Sequence, residues 1–410
     1  MKRLSCRAAL LLGAFVLNGS AWAADPFRVV HVTDFTGPLS AYAQQLSTGM
    51  KMGFEYATQG SMETAGRQIV LSSKDSQGDP ARARTLVEEA YAEDDAHIVV
   101  GPVASGVALA TLPIAEEYER VIMPEGVADA ITGAAWNRYV VRVGRNSSQD
   151  AVSNAVALGK PGVCVATIAQ DYAFGRDGVA AYREALEPTG GKLVHEEYLP
   201  TDATDFTAAA QRLFGALRDR TDCSAGKFIF AIWAGATSPL ARIQDLQPER
   251  HGIRLAAGGN ILPALVSYAD LEGMEGMEGA GFYYFESPDN PINDWFVAEH
   301  FKRYQAAPDF FTTQGFAQAM AIVAALQKSE GSSDTEDLLK AFSGLRFDTP
   351  KGEMLIRPED HQALQSMYHF RIQREERKDW FADRAVTAGV PVLIREIPLE
   401  EMKIPVRNAR

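Results

Sequence analysis

The sequence predicts an α/β protein built from two doubly wound, parallel-sheet lobes, and three observations carry that expectation. Apolar strands alternate with helical patterns over 28–132, the alternation starts again near residue 146, and the strands of the first set end in turns rich in Gly, Pro, Asp and Ser. Strand–helix alternation of this kind reads as a parallel sheet covered by helices. In such sheets ligands bind at the carboxyl ends of the strands, where TGP, the aspartate turn and GPVAS lie.

Each element has its own signal. In the first set, RVVHVT leads through DFTGPLSAY into a helical run over 41–58, and RQIVLSS leads through KDSQGDP into an amphipathic run over 81–93. HIVVG then ends in PVASG and enters a further helix. The second set opens with a helical run over 146–158 and continues with strands GVCVATI, KLVHEEY, KFIFAIW and RLAAGG. Helical runs over 173–186, 206–217 and 239–246 separate them. From Gly279 the pattern changes: AGFYYF reads as a short aromatic strand, followed by helices over 295–304, 313–328 and 335–342 and a late strand SMYHFRIQ. The Gly- and Glu-rich stretch EGMEGMEGAG reads as a connection between domains. RIQREERKDWFADR mixes both signs of charge and reads as a solvated strand and turn.

The amino terminus carries Lys2-Arg3, an apolar run over 4–17 and Ala21-Trp22-Ala23. That is the pattern of a secretory signal peptide over 1–23, with the mature chain starting at Ala24. The apolar run falls short of the roughly 20 residues a spanning helix needs, and Cys6 precedes it, so neither a membrane anchor nor lipidation is expected. Cys164 and Cys223 remain after processing, on or beside strands that a doubly wound sheet can make neighbours. An oxidising compartment permits a disulfide. Two buried, unpaired thiols are the preferred expectation, because sequence does not supply the geometry.

The formal net charge is −13, with 40 basic against 53 acidic residues. No basic stretch is interleaved with aromatics, so nucleic acid is not an expected partner. The chain has no GxSxG elbow, P-loop, HExxH or paired CxxC. A lone SxxK at Ser224–Lys227 lacks its partner motifs, and the seven histidines are scattered. No enzymatic activity, cofactor or metal is expected.

Taken in order, TGPLSAY, DSQGDP, VGPVAS, IMPEGVADAIT, YVVRV, QDYAFG and EGAGFYY give the chain a resemblance to the substrate-binding proteins of ABC importers. The group it resembles is the leucine/isoleucine/valine-binding family of the type I periplasmic-binding fold, over nearly all of the mature chain. The resemblance implies two lobes joined by a three-crossing hinge, with passages near Arg145, Glu278 and Met367. The lobes are then 24–145 with 279–366, and 146–278 with 367–410. It also implies a periplasmic, monomeric protein whose partners are a small-molecule ligand and an inner-membrane permease, the cleft closing on the ligand.

The same resemblance implies a set of ligand contacts. Ser105, at the start of a helix, matches a serine that binds the ligand's carboxylate; a hydroxyl and free N–H groups at a helix N-terminus favour an anion, and an N-cap uses the same donors. Its replacement by alanine is expected to weaken ligand binding with little loss of stability. Tyr42 matches a tyrosine that reaches the cleft. Glu125 and Val127 stand where amino-acid binders carry small residues and a threonine. Val127 has no side-chain donor, and Glu125 repels a carboxylate or attracts an ammonium; the bland alternative for Glu125 is a solvent-facing turn residue. Phe174 stands for the family's tyrosine, with Tyr172 close by. Trp233 or Thr237 replaces its cleft aromatic, the alternative for Phe174 and Trp233 being core packing. Asn260, after Gly259, stands where those binders pair an acidic residue with the ligand's ammonium. These departures make the pocket more apolar than an amino-acid binder's, in keeping with a ligand cleft of aromatic walls and a few placed polar groups. The expected function is capture and delivery to an ABC permease of a small carboxylate-bearing solute, a branched-chain or other hydrophobic amino acid. The alternatives are a non-amino-acid hydrophobic or aromatic carboxylate, or a ligand sensor feeding a membrane receptor. Glu125 is the nearest replacement for the missing carboxylate.

Overall fold

The computed structural model describes residues 25–235, 238–258, 261–270 and 272–408. The expected leader over 1–23, Thr237, Gly259 and Asn260 lie outside them. The first elements are β1 (Phe27–Thr33), α1 (Ser40–Ala57), β2 (Glu63–Thr64), β3 (Arg67–Asp75), α2 (Pro80–Ala92), β4 (Ile98–Val100), α3 (Ser105–Glu117) and β5 (Val121–Met123). A second series runs α4 (Ser147–Leu158), β6 (Val163–Gln170), α5 (Ala173–Leu186), β7 (Lys192–Leu199), α6 (Thr207–Leu217), β8 (Gly226–Ile232), α7 (Pro239–Asp245), β9 (Ile253–Ala257), α8 (Leu262–Tyr268) and β10 (Glu278–Gly281). The remainder is α9 (Pro291–Tyr304), α10 (Phe310–Lys328), α11 (Thr335–Phe342), β11 (Arg346–Thr349), β12 (Gly352–Ile356), β13 (Ala363–Leu364), β14 (Met367–Arg377), β15 (Val386–Ile397) and α12 (Leu399–Met402).

These strands form two main sheets. One has the order β2-β3-β1-β4-β5, parallel except for β2. The other has the order β15-β14-β10-β9-β8-β6-β7, parallel from β10 to β7, with the β14–β15 hairpin antiparallel at its edge. Every residue of β6 is buried, as expected of a parallel strand covered on both faces. Helix starts follow local chemistry: Asp79 accepts from the Arg82 N–H ahead of Pro80, and Asn146 accepts from the Gln149 N–H at 2.8 Å. Each satisfies a donor that a helix N-terminus leaves free.

Several expectations are corrected. AGFYYF is a strand only through Gly281; Phe282, Tyr283, Tyr284 and Phe285 are buried in irregular chain, where packing replaces pairing. β10 pairs on both sides within the second sheet, with β9 and β14. β5 and the small sheet β11-β12-β13 carry no signal strong enough to be read in advance, each strand being five residues or shorter. Cys164 and Cys223 are joined in a disulfide, with their Cα atoms 5.4 Å apart. Neighbouring β6 and β8 bring them there, against the preferred expectation of free thiols.

Helices α1 and α10 touch backbone to backbone. A Cβ at Gly49 would lie 1.8 Å from the Thr312 carbonyl oxygen, one at Gly315 2.0 Å from that of Leu46, and one at Gly53 2.5 Å from that of Phe316. Only hydrogen fits at these three places. Gly49→Ala should therefore lower the unfolding free energy measured in urea, by about 1–3 kcal/mol or more for overpacking. Gly215→Ala is the control of opposite sign: it lies inside α6 with nothing within 4 Å of an added methyl, and should gain about 0.4–1 kcal/mol. Equal effects of the two changes would refute the close contact.

Candidate functional site

Between the two sheets lies a cavity lined by Tyr42, Ser105, Glu125, Val127, Tyr172, Phe174 and Trp233, with Arg145, Phe310 and Phe311. Seven of the nine residues singled out from sequence thus line one space, and the other two, Thr237 and Asn260, lie outside the described residues. The chain brings them together because they follow β1, β4, β5, β6 and β8, at carboxyl strand ends that face one another. A second chamber shares Arg145, Phe174, Trp233 and Phe310 and extends over Ala151, Phe230, Ala257 and Tyr268.

On the wall formed by the first sheet, the Ser105 hydroxyl accepts from the backbone N–H groups of Val127 and Ala128, both at 3.1 Å. It is not an N-cap; Ala104 holds that position. With its oxygen accepting twice, the hydroxyl keeps its own proton to donate. Asp34 accepts from the Ala104 N–H at 2.9 Å and from the Ser76 hydroxyl, which holds the GPVAS turn. Burial pushes the Asp34 carboxyl above its ordinary range, against those hydrogen bonds.

Glu125 differs from both readings made of it. It is not a solvent-facing turn residue: its side chain is fully buried. Nor is it a free partner for an ammonium, because its oxygens accept from His31 Nε2 and Thr33 Oγ1, each at 2.9 Å. That pairing spans more than 90 residues of sequence, and only the β1–β4–β5 adjacency creates it.

Aromatic rings make up much of the remaining lining. The Tyr42 ring stacks on Phe311 at 4.2 Å, and its hydroxyl accepts from the Gly235 N–H at 2.9 Å, a bond from α1 to the end of β8. Tyr172 and Phe174 lie ring to ring at 5.8 Å, and Trp233 packs edge-on to Phe206. The Trp233 indole N–H is buried without an acceptor among the described residues. Burial pushes both the Tyr42 and Tyr172 hydroxyls up, so they remain neutral donors.

The charged centre is a residue that sequence reading treated only as a passage point. Arg145 is 8% exposed, lines both chambers, and lies over the Phe310 ring at 4.5 Å. Its Nε donates to both carboxylate oxygens of Asp150 at 2.9 Å, while its Nη1 is buried with no partner among the described residues. Asp150 keeps 30% of its side-chain surface. Yet burial dominates its ionisation and raises its carboxyl, against the nearby Arg145. The two facts agree if the accessible surface is cavity surface, and Asp150 lines the second chamber. No pattern in sequence marks this pair, although a basic and an acidic residue around an Asn N-cap was a signal open to inspection.

A two-sheet α/β architecture with a cavity at facing carboxyl strand ends places a ligand cleft where such sheets bind their ligands. The chain belongs to the periplasmic binding protein family, whose model matches residues 26–378. It is 54% identical to a Rhodopseudomonas palustris protein whose crystal structure is described as an ABC-type branched-chain amino acid transporter. That likeness covers 94% of this chain and all of the other, with a TM-score of 0.82. A Leu/Ile/Val-binding protein homolog of Brucella melitensis is 25% identical over 90% of this chain and 92% of its own. The fold is shared with another R. palustris ABC-transporter solute-binding protein, solved with 3,4-dihydroxybenzoic acid (22% identity, TM-score 0.74, 91% and 98% of the two chains).

Two changes probe the framework. Ser105→Ala removes the acceptor of two buried N–H groups, each costing about 1–3 kcal/mol when unsatisfied. It should therefore lower the melting temperature as well as ligand affinity, and an unchanged melting temperature would restore the simpler expectation. Asp309 accepts from the Leu262 N–H, the Phe310 N–H and Gln45, joining α1, α8 and α10. Burial raises its carboxyl from 3.8 to about 6. The folded state therefore holds this proton more tightly than the unfolded chain, so its contribution to stability falls as pH rises from about 4 to about 6. The loss is about 3 kcal/mol at about 1.4 kcal/mol per unit. Denaturation at pH 4 and pH 7 should show that Asp309→Asn removes this part of the pH dependence; parallel curves for the two proteins would contradict it.

Proposed function

We propose that the protein is the periplasmic solute receptor of an ABC importer, and that it captures a small apolar carboxylate between its lobes and presents it to the permease. The observation that carries the reading is Arg145: a buried guanidinium with an unpartnered Nη1, in a cavity whose walls combine aromatic and aliphatic side chains with a few polar ones. Burying an unpaired anion costs several kcal/mol, so an apolar cleft takes a carboxylate only where a cation meets it. Arg145 is that cation, and the Ser105 hydroxyl and Trp233 indole supply neutral donors beside it. The lobes on this reading divide after Arg145, after Gly281 and before Met367. The leader over 1–23 directs export, and the receptor acts as a monomer.

The relatives leave two solute classes open. The 54%-identical protein is described as a branched-chain amino acid transporter, and a protein of the same fold holds an aromatic acid. Both are apolar bodies with one carboxylate, and that shared chemistry is what the site fits.

A calorimetric comparison of apolar acids with their primary amides tests this. Acids such as leucine, 4-methylpentanoate or benzoate should include at least one ligand, its amide should bind far more weakly, and Arg145→Lys should reduce acid binding about tenfold or more. The expectation rests on about 1.5–3 kcal/mol for a hydrogen bond to a charged group. Equal binding of acid and amide, or indifference to Arg145→Lys, would rule the reading out.

A further inference from the structure

We infer that Asp150 is a specificity-determining residue, which together with Arg145 reads the α-carbon of the solute and selects acids bearing an amino or hydroxyl group there. The inference rests on the carboxylate reading above and adds a second point of recognition to it.

The two side chains are unequally used. A guanidinium has five N–H donors and a carboxylate about four lone-pair sites. Between them a single N–H, that of Arg145 Nε, is spent on Asp150. No other donor to the Asp150 side chain occurs among the described residues, whereas other, fully buried carboxylates among them have two or more. Glu125 has His31 and Thr33, and Asp360 has Nε and Nη2 of Arg357 and the Gln362 N–H. Asp150 combines this shortage with cavity surface.

Geometry then narrows the solute. The guanidinium is one rigid planar fork, and Asp150 lies 2.9 Å from its Nε. An anion seated on the Nη side of that fork and a donor seated on Asp150 are therefore close neighbours. In one molecule they stem from the same or adjacent carbon atoms. A hydroxyl at the far end of an aromatic ring does not meet this condition, and an α-substituent does. A plain carboxylate seated on Arg145 leaves the remaining lone pairs of Asp150 without a donor, whereas an α-ammonium or an α-hydroxyl donates to them. The carboxylate for this purpose is supplied from α4, next to a passage between the sheets, and not from the turn after β9.

The test is a calorimetric series on the full mature protein: 4-methylpentanoate, 2-hydroxy-4-methylpentanoate and leucine, with benzoate, 4-hydroxybenzoate, mandelate and phenylglycine as the aromatic counterpart. In at least one set the α-substituted acids should bind at least tenfold more tightly than the plain acid, with 4-hydroxybenzoate no better than benzoate. Asp150→Asn should remove most of the advantage of the amino acid, and Asp150→Ala that of the hydroxy acid too, while the plain acid holds or gains affinity. The wild-type series decides the matter even where a variant folds poorly. Plain acids binding as tightly as their α-substituted relatives, or an advantage that survives Asp150→Ala, would overturn the role of Asp150 and leave the carboxylate reading standing. Failure of every acid in both sets would overturn both.

Discussion

The backbone contact between α1 and α10 is the constraint on which the cleft depends. Gly49, Gly53 and Gly315 let the two helices approach until carbonyl oxygens occupy the space a side chain would need. Both helices begin at the cavity, with Tyr42 near the start of one and Phe310 and Phe311 at the start of the other. The short separation is what stacks Tyr42 on Phe311 at 4.2 Å. Phe310 in turn lies under the Arg145 guanidinium. Asp309, at the head of α10, ties the same corner to α8 through the Leu262 N–H and to α1 through Gln45. An aromatic platform beneath a cation is thus a consequence of three missing side chains.

Buried charge separates scaffold from site. Arg142 is fully buried and its guanidinium donates to Gln362, to the Gly126 and Ala128 carbonyls and to Thr132. Arg357 is matched by Asp360 and the Ile404 and Pro405 carbonyls. Such saturation is what burial demands, because an unsatisfied charged group is the most expensive thing a core can hold. Arg145 lies only three residues beyond Arg142 and departs from this rule. The departure is tolerated because aromatic faces partly offset the desolvation and because Asp150 balances the charge. Departures of this kind are where function concentrates.

What was legible in the sequence was whatever rests on local pattern. Strand alternation pointed to the two sheets, and the family resemblance singled out Ser105, Val127, Tyr172, Phe174 and Trp233, which line a single cavity. What stayed hidden was partner identity. Glu125 looked like a lone carboxylate because His31 and Thr33 are more than 90 residues away. The disulfide required knowing that β6 and β8 are neighbours, and Arg145 and Asp150 show no periodicity at all. β5, at three residues, is too short to carry an alternation signal, and Phe282 to Phe285 look like a strand because aromatic residues favour strands and cores alike.

The position of the charged pair bears on how binding and closure are coupled. A ligand shifts a conformational equilibrium only by the difference in its affinity for the two states. Contacts made by one wall alone contribute equally open and closed. Arg145 belongs to the stretch linking β5 to α4, between Ser105 and Val127 on one side and Phe174 and Trp233 on the other. On the proposed reading a solute held there touches both walls, and the contacts it makes with the two together are the part of its binding free energy that favours the closed form. The protein's own bonds join the two sides as well: the Gly235 N–H donates to Tyr42, the Ala130 N–H to Asp177 and the Leu262 N–H to Asp309, and Arg407 pairs with Asp129. The neutral bond is worth about 0.5–1.5 kcal/mol and each of those to a charged group about 1.5–3 kcal/mol. On the proposed reading a carboxylate on Arg145 adds one more bond of the stronger kind, together with the burial of its apolar body, to a contact the protein already makes.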